Sequence, residues 1–444
     1  MLKKLKIRTK ILLAFALIAV ITVFTIAVVA FSIGQSTLEE ESFNKLTAVR
    51  EMKANQIEDY FQFIRDQLVT QSNDRMMIDA MKAFSTTFYT SDVDQGLDVS
   101  AILSKRGELL SYYQDEFLER LVPNLLLEVD AKEYLPSEKF PLVMQDLYIS
   151  GNPYETGSKH LLDNPGDGSR YSESHELYHP IIRDFLERFG YYDIFLVDPQ
   201  GNIVYSVFKE VDFGTSLISG PYADTNFGEV FRAALAADEP GAVFIADFEP
   251  YHPSYNAPAS FIASPIFDGD EKIGVLIFQM PIDRINSIMT NDQNWSDVGL
   301  GESGETYLVG PDQRLRNQSR FLIEDSDNYF EAIDEAGVPL ATIGQIRNLN
   351  STIGLQDVDT EGTRAALAGE TGTAIFPDYR SVSVLSSYKP LDIAGLQWVI
   401  MSEIDEAEAF AAIDDLALRL ALGSVGLIAF IIIAAVFFSR SLTN

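Results

Sequence analysis

The chain has 444 residues, a formal net charge of −32 from 65 acidic and 33 basic side chains, and no cysteine. So acidic a balance argues against a nucleic-acid or anionic-lipid partner, since both call for basic patches, and the missing thiols exclude disulfides, Cys-ligated metals and a thiol nucleophile. An exported surface kept soluble by self-repulsion accounts for the charge, and the lack of thiols fits an oxidising compartment.

Two apolar runs frame the chain. Residues 11–33 and 420–438 contain no charged side chain, and each approaches or exceeds the roughly 20 residues needed to cross a hydrocarbon core. A cleaved signal peptide would have an apolar core of only about 7–15 residues, so the first run reads as an anchor. Lys3, Lys4, Lys6, Arg8 and Lys10 precede it with no acid among them, which predicts a cytoplasmic N-terminus. Two crossings then put everything between the runs outside and return the chain at Arg440, as a two-pass protein of the cytoplasmic (inner) membrane.

After an acidic junction at Glu39, Glu40 and Glu41, the residues Leu46, Val49, Ile57, Phe61, Ile64 and Leu68 recur on one helical face. A long helix is predicted here, its stripe serving either a partner helix in a dimer or its own domain. From 76 to 189 the pattern stays largely helical, with a loop-rich interruption at 151–168. The period then shortens to two. Segments 192–197, 202–208, 242–248, 260–267 and 272–280 read as five antiparallel strands, with a helix at 227–237 and tight turns at Asp198-Pro199-Gln200-Gly201 and Asp268-Gly269-Asp270. The scheme repeats: 305–309, a Gly310-Pro311-Asp312 turn, a helical insertion, then 372–376, 382–388 and 396–404. The fold class is therefore α+β, with two related modules in tandem.

At these residues the chain resembles the double Cache (dCache) sensor regions of bacterial chemoreceptors and related transmembrane signalling proteins. The resemblance is carried by FGYYDIFLVD at 189–198, PASFIASPIF at 258–267, GLGESGETYLVG at 299–310 and YKPLDI at 388–393. It implies two PAS-like modules on a long N-terminal helix between two transmembrane helices. The expected organisation is a basic cytoplasmic tail (1–10), a first span (11–33), the long helix and helical region (34–189), a membrane-distal module (190–290), a membrane-proximal module (291–410), a second span (418–438) and the start of a HAMP-like linker (439–444).

The sharpest catalytic motif is His175-Glu176-Leu177-Tyr178-His179, a literal match to the zincin signature. That chemistry needs both imidazoles on one face of a continuous helix. Pro180 follows directly and reads better as the first position of a new helix over 180–189. With only His160 and His252 besides, a third His ligand is not obvious, and neither zinc nor any cofactor is expected. The Gly-rich stretch at 299–304 precedes a strand, the reverse of a phosphate loop's context, and Asp414 and Asp415 read as solvated charge beside the second span. No catalytic residue is assigned.

The resemblance places a small-molecule pocket on the distal sheet, for which the expected ligand-binding residues are Tyr205, Lys209, Asp247, Tyr251, Tyr255 and Gln279. The proximal candidates Arg316, Arg320 and Tyr379 are more scattered. The Arg-x-Trp-Tyr cluster and last-strand Asp of amino-acid-binding members are absent, Gln279 standing where the Asp is expected, which disfavours a standard α-amino acid. The expected function is the sensor portion of a methyl-accepting chemoreceptor, dimeric, joined in cis to a cytoplasmic effector beyond Asn444. The alternatives are the sensor of a membrane-bound nucleotide cyclase or histidine kinase, or an anchored binding or adhesion protein without output.

Overall fold

The computed structural model describes residues 7–125 and 127–441; Lys3, Lys4 and Lys6 of the basic tail, and the last three residues of the expected linker, lie outside them. Helix α1 runs unbroken over Ile7–Ser72, 66 residues with no proline and a single glycine, or about 100 Å at 1.5 Å per residue. The expected span and the expected rising helix are thus one rod, because the acidic junction holds no residue that stops a helix. Its first part exposes apolar side chains such as Leu17, Phe24 and Ile33, whereas from Leu46 on the predicted stripe is buried. Leu46 and Val49 pack with Trp295, Leu300 and Leu385, and Ile57, Phe61, Ile64 and Leu68 join the main core. The stripe therefore packs on its own domain.

The first antiparallel sheet has the order β2-β1-β5-β4-β3, from β1 Asp193–Val197, β2 Ile203–Ser206, β3 Phe244–Tyr251, β4 Ala257–Asp268 and β5 Glu271–Gln279. Strand β1 is buried at every position, as an uninterrupted apolar run requires when both sheet faces are covered. The turn after it is closed by Asp198, whose Oδ1 accepts the amides of Gln200 (3.0 Å) and Asn202 (2.9 Å); Gly201 supplies the φ of +88°. Asp268 faces Glu271 across the two-residue β4–β5 hairpin. The second sheet has the order β6-β9-β8-β7, from β6 Glu305–Val309, β7 Gly372–Pro377, β8 Ser383–Pro390 and β9 Val399–Asp405. Strand β9 leads through a short helix, Glu406–Ala409, into the terminal helix Ala411–Ser441.

This terminal helix packs along α1; a Cβ added at Gly34 would lie 2.8 Å from Leu416 Cδ2. Both end helices are long and apolar enough to cross a membrane.

One expectation is corrected. Helix Arg170–Phe189 is continuous, with Pro180 inside it, so no helix begins at Pro180 and both histidines do share one face. Packing on β1 and α2 (Arg75–Phe88) outweighs the lost proline hydrogen bond. Three of the four ring nitrogens are hydrogen-bonded within the protein, and His175 Nε2 is buried without a partner. His179 Nε2 donates to the His160 carbonyl (2.7 Å), leaving Nδ1 to accept from the Tyr205 hydroxyl (2.7 Å). His175 Nδ1 donates to the Asp163 carbonyl (2.7 Å), and the two rings stack at 4.1 Å. Burial pushes both pKa values well below the usual range.

Candidate ligand pocket

Strand β1 opens on Asp193, a fully buried carboxylate. It accepts the backbone amides of Ile194 (2.6 Å), Val207 (2.8 Å) and Phe208 (3.2 Å), so it ties the end of β2 to β1. Lys209 follows in the left-handed region (φ 59°). Its ammonium donates to the Ser206 carbonyl and lies over the rings of Tyr205 (4.4 Å), Phe213 (4.9 Å) and Tyr148 (5.6 Å). Three aromatic faces substitute for water around this cation. Burial pulls the Lys209 pKa down against the opposing charge of Asp193, and it pushes Asp193 up, with Asp212 adding to the effect.

Of the next two acids, Glu210 lines a small cavity and Asp212 does not. Glu210 accepts from the Tyr192 hydroxyl (2.9 Å) and the Ser254 hydroxyl (3.1 Å), and Ser254 in turn accepts from Gln279 Nε2 (3.3 Å). Asp212 is fully buried and accepts from Tyr251 (2.7 Å) through Oδ2. Its Oδ1, the carbonyl Oε1 of Gln279 and the Tyr222 hydroxyl are buried without a partner. The cavity beside Glu210 has a volume of about 140 Å³ and is walled by Tyr112, Tyr192, Phe208 and Tyr255, with Arg120 and Lys159 also lining it. Lys159 is already spent on the Ile149 carbonyl (2.6 Å). Burial pushes the carboxyls of Glu210 and Asp212 up, and for Glu210 the charges of Asp212 and Asp193 add to it.

The structure thus brings most of the expected residues to one place in different roles. Lys209 and Tyr255 line the cavity, Gln279 reaches Glu210 only through Ser254, Tyr251 holds Asp212, and Tyr205 lies under the Lys209 ammonium. Asp247 is not with them: its carboxylate takes two bonds from Arg316 of the second sheet's module (2.9 and 3.0 Å). Sequence reasoning missed Asp193, Tyr192, Glu210 and Asp212. The available signal was the cluster of charged residues Lys209, Glu210 and Asp212 just after an apolar strand, in a stretch that turns rather than extends.

A family model for the Cache domain, in its double form, matches residues 35–413. The chain belongs to the Cache domain family. It is accordingly a ligand-binding sensor domain. Among curated proteins none matches it. Solved structures similar to it include the extracellular domain of vpHK1S-Z8 (13% identity, covering 86% of this chain and 97% of that one, TM-score 0.40). Others are the sensor domain of the V. cholerae histidine kinase DctB (15%, 66% and 96%, 0.31) and the ligand-binding domain of the Pseudomonas fluorescens chemoreceptor CtaA in complex with L-serine (10%, 68% and 99%, 0.31).

Proposed function

We propose that this Cache chain is the sensing portion of a two-pass receptor of the cytoplasmic membrane, and that the pocket at Glu210 takes a small organic amine. The observation that carries the reading is the make-up of the cavity: Glu210 is the one acid in its lining, among four aromatic rings, the two lysines that line it are spent on backbone carbonyls, and Asp212 Oδ1 and Gln279 Oε1 are buried nearby in the chain of contacts without a donor. An ammonium inside aromatic walls satisfies such atoms. The distal module, 190–290, is the input and the helices at either end carry the response. The receptor is a dimer coupled to a cytoplasmic effector, of methyl-accepting chemoreceptor type; a histidine kinase or cyclase effector is the second reading, favoured by nothing in these residues over the first.

Binding is tested on the full chain in detergent, with a panel of primary amines, quaternary ammonium compounds and α-amino acids screened by thermal shift. An amine is expected to stabilise the protein, and Glu210→Gln to weaken it by about ten- to a hundredfold, the worth of one charge-assisted hydrogen bond. Because burial raises the carboxyl pKa values in the empty pocket, a cation binds with proton release, so affinity rises with pH until those carboxyls are ionised. Binding confined to α-amino acids, or affinity indifferent to Glu210, sinks the assignment.

Topology is tested separately. A cysteine at Ser36 is expected to react with an impermeant thiol reagent on intact cells and one at Ser441 not to react; equal labelling rejects the two-pass arrangement.

A further inference from the structure

The second sheet buries a carboxyl pair that the ligand reading does not use. Glu305 on β6 and Glu403 on β9 stand directly opposite each other in register, and each is 3% exposed. Glu305 is fully engaged, accepting from the Tyr379 hydroxyl (2.6 Å) and the Arg320 amide (2.5 Å). Glu403 has no such set: beside it stand only the hydroxyls of Tyr307 on β6 and of Ser386, its neighbour across β8, loosely placed donors that lower its pKa less than burial raises it. These side chains share the face of Met401 and Val399, turned into the second core. The opposite face, at Ser387, meets Arg50 of α1 (2.9 Å), so α1 lends Glu403 no cation.

The charged and titratable groups around Glu403 are Glu305, Tyr307, Asp378, Tyr379, Arg380 and Arg320. Both cations are committed elsewhere. Arg380 binds Asp378 (2.6 Å) and Asp405 (2.7 Å), and Arg320 binds Glu324 (2.7 Å) and the Gly304 carbonyl (2.6 Å). Two ionised carboxylates placed opposite each other on neighbouring strands repel, and an unpaired buried charge is costly. We propose that Glu403 is a proton-binding site, and that the acidity of the surrounding medium is a second input, acting on the strand that leads into the terminal helix. Burial first, then the charge of Asp378, pushes the Glu403 carboxyl up to about 8, within reach of ordinary changes in medium pH.

The sign follows from linkage. A carboxyl raised in the folded state contributes stability that is fully present below the ordinary Glu range of about 4.3 and is lost as pH rises through about 8. In the full chain, the thermal midpoint of the wild type should fall from pH 6 to 9 by at least about 2 °C more than that of Glu403→Gln. Infrared difference spectra across the same range should show a protonated carboxyl disappearing in the wild type and not in the variant. Glu305→Gln, which keeps Glu403 but removes the opposing charge, should move that titration to lower pH. For the second input, a Gly34→Cys, Leu416→Cys pair reports the packing of the two end helices. Its disulfide yield, taken relative to the same pair in the Glu403→Gln background, should change across pH 6 to 9. Identical pH profiles with and without Glu403 in the spectra overturn the proton site, and identical cross-linking profiles overturn its role as an input.

Discussion

Asp193→Ala is expected to destabilise the first sheet by about 3–5 kcal/mol, more than any other single change at the pocket. The carboxylate accepts three backbone amides, those of Ile194, Val207 and Phe208. Losing it strands buried donors, at about 1–3 kcal/mol each, and removes the one charge that holds Lys209 protonated against burial. Lys209 then loses its proton more readily, and the turn at 207–209, in which Lys209 already adopts φ 59°, loses its anchor. Chemical denaturation followed by the fluorescence of the tyrosine-rich pocket measures the loss. Asp193→Asn, which keeps one acceptor, should lie between the wild type and Asp193→Ala. Were alanine to cost less than 1 kcal/mol, the amide cluster would have to be satisfied by water, and Asp193 would not be the keystone of the pocket.

Much of this architecture was legible in the chain because both sheets are built from short, β-branched and aromatic runs with strong turn residues between them. Strand β6 lies at 305–309, where the alternation put it, and β1, β5, β7, β8 and β9 fall within a few residues of expectation. What periodicity could not give was side-chain facing in β2, where Ile203, Val204, Tyr205 and Ser206 are all buried: with both faces covered, alternation no longer separates pocket from core. Nor could it foresee that Pro180 lies inside a helix, because the preference of one residue yields to the packing of twenty. The pocket was half legible. Aromatic and amide residues of β2, β5 and the loop after β3 were recognised by type, but a carboxylate in a strand such as Asp193 looks like a surface residue until the amides it accepts are located in space. Asp247 was the converse, an acid expected at a strand end that lies inside β3, at the register shift between Ala246 and Glu249, and whose partner is 69 positions further on.

That partner sets the last expected result. Arg316 is 2% exposed, grips Asp247 through two nitrogens and Asp312 through one (2.7 Å), and among the described ion pairs this is the only one that joins the two sheets' modules. Gly310 makes the room: a Cβ there would lie 2.0 Å from Arg316 Nη2. The burial is unequal, since the Asp247 side chain is 24% and the Asp312 side chain 44% exposed. Removing the acid therefore strands a buried cation, whereas removing the cation leaves acids that water can reach. Asp247→Ala should cost about 3 kcal/mol, and adding Arg316→Met to it should restore at least about 1 kcal/mol rather than cost more. A double variant less stable than Asp247→Ala alone would falsify this account. In the same proteins the affinity of the pocket at Glu210 for its amine should stay within about twofold of wild type, because Asp247 contributes no atom to that cavity. What these variants are expected to change is how firmly the first sheet's module is held to the second, and hence how much of a movement at the pocket reaches β9 and the terminal helix beyond it.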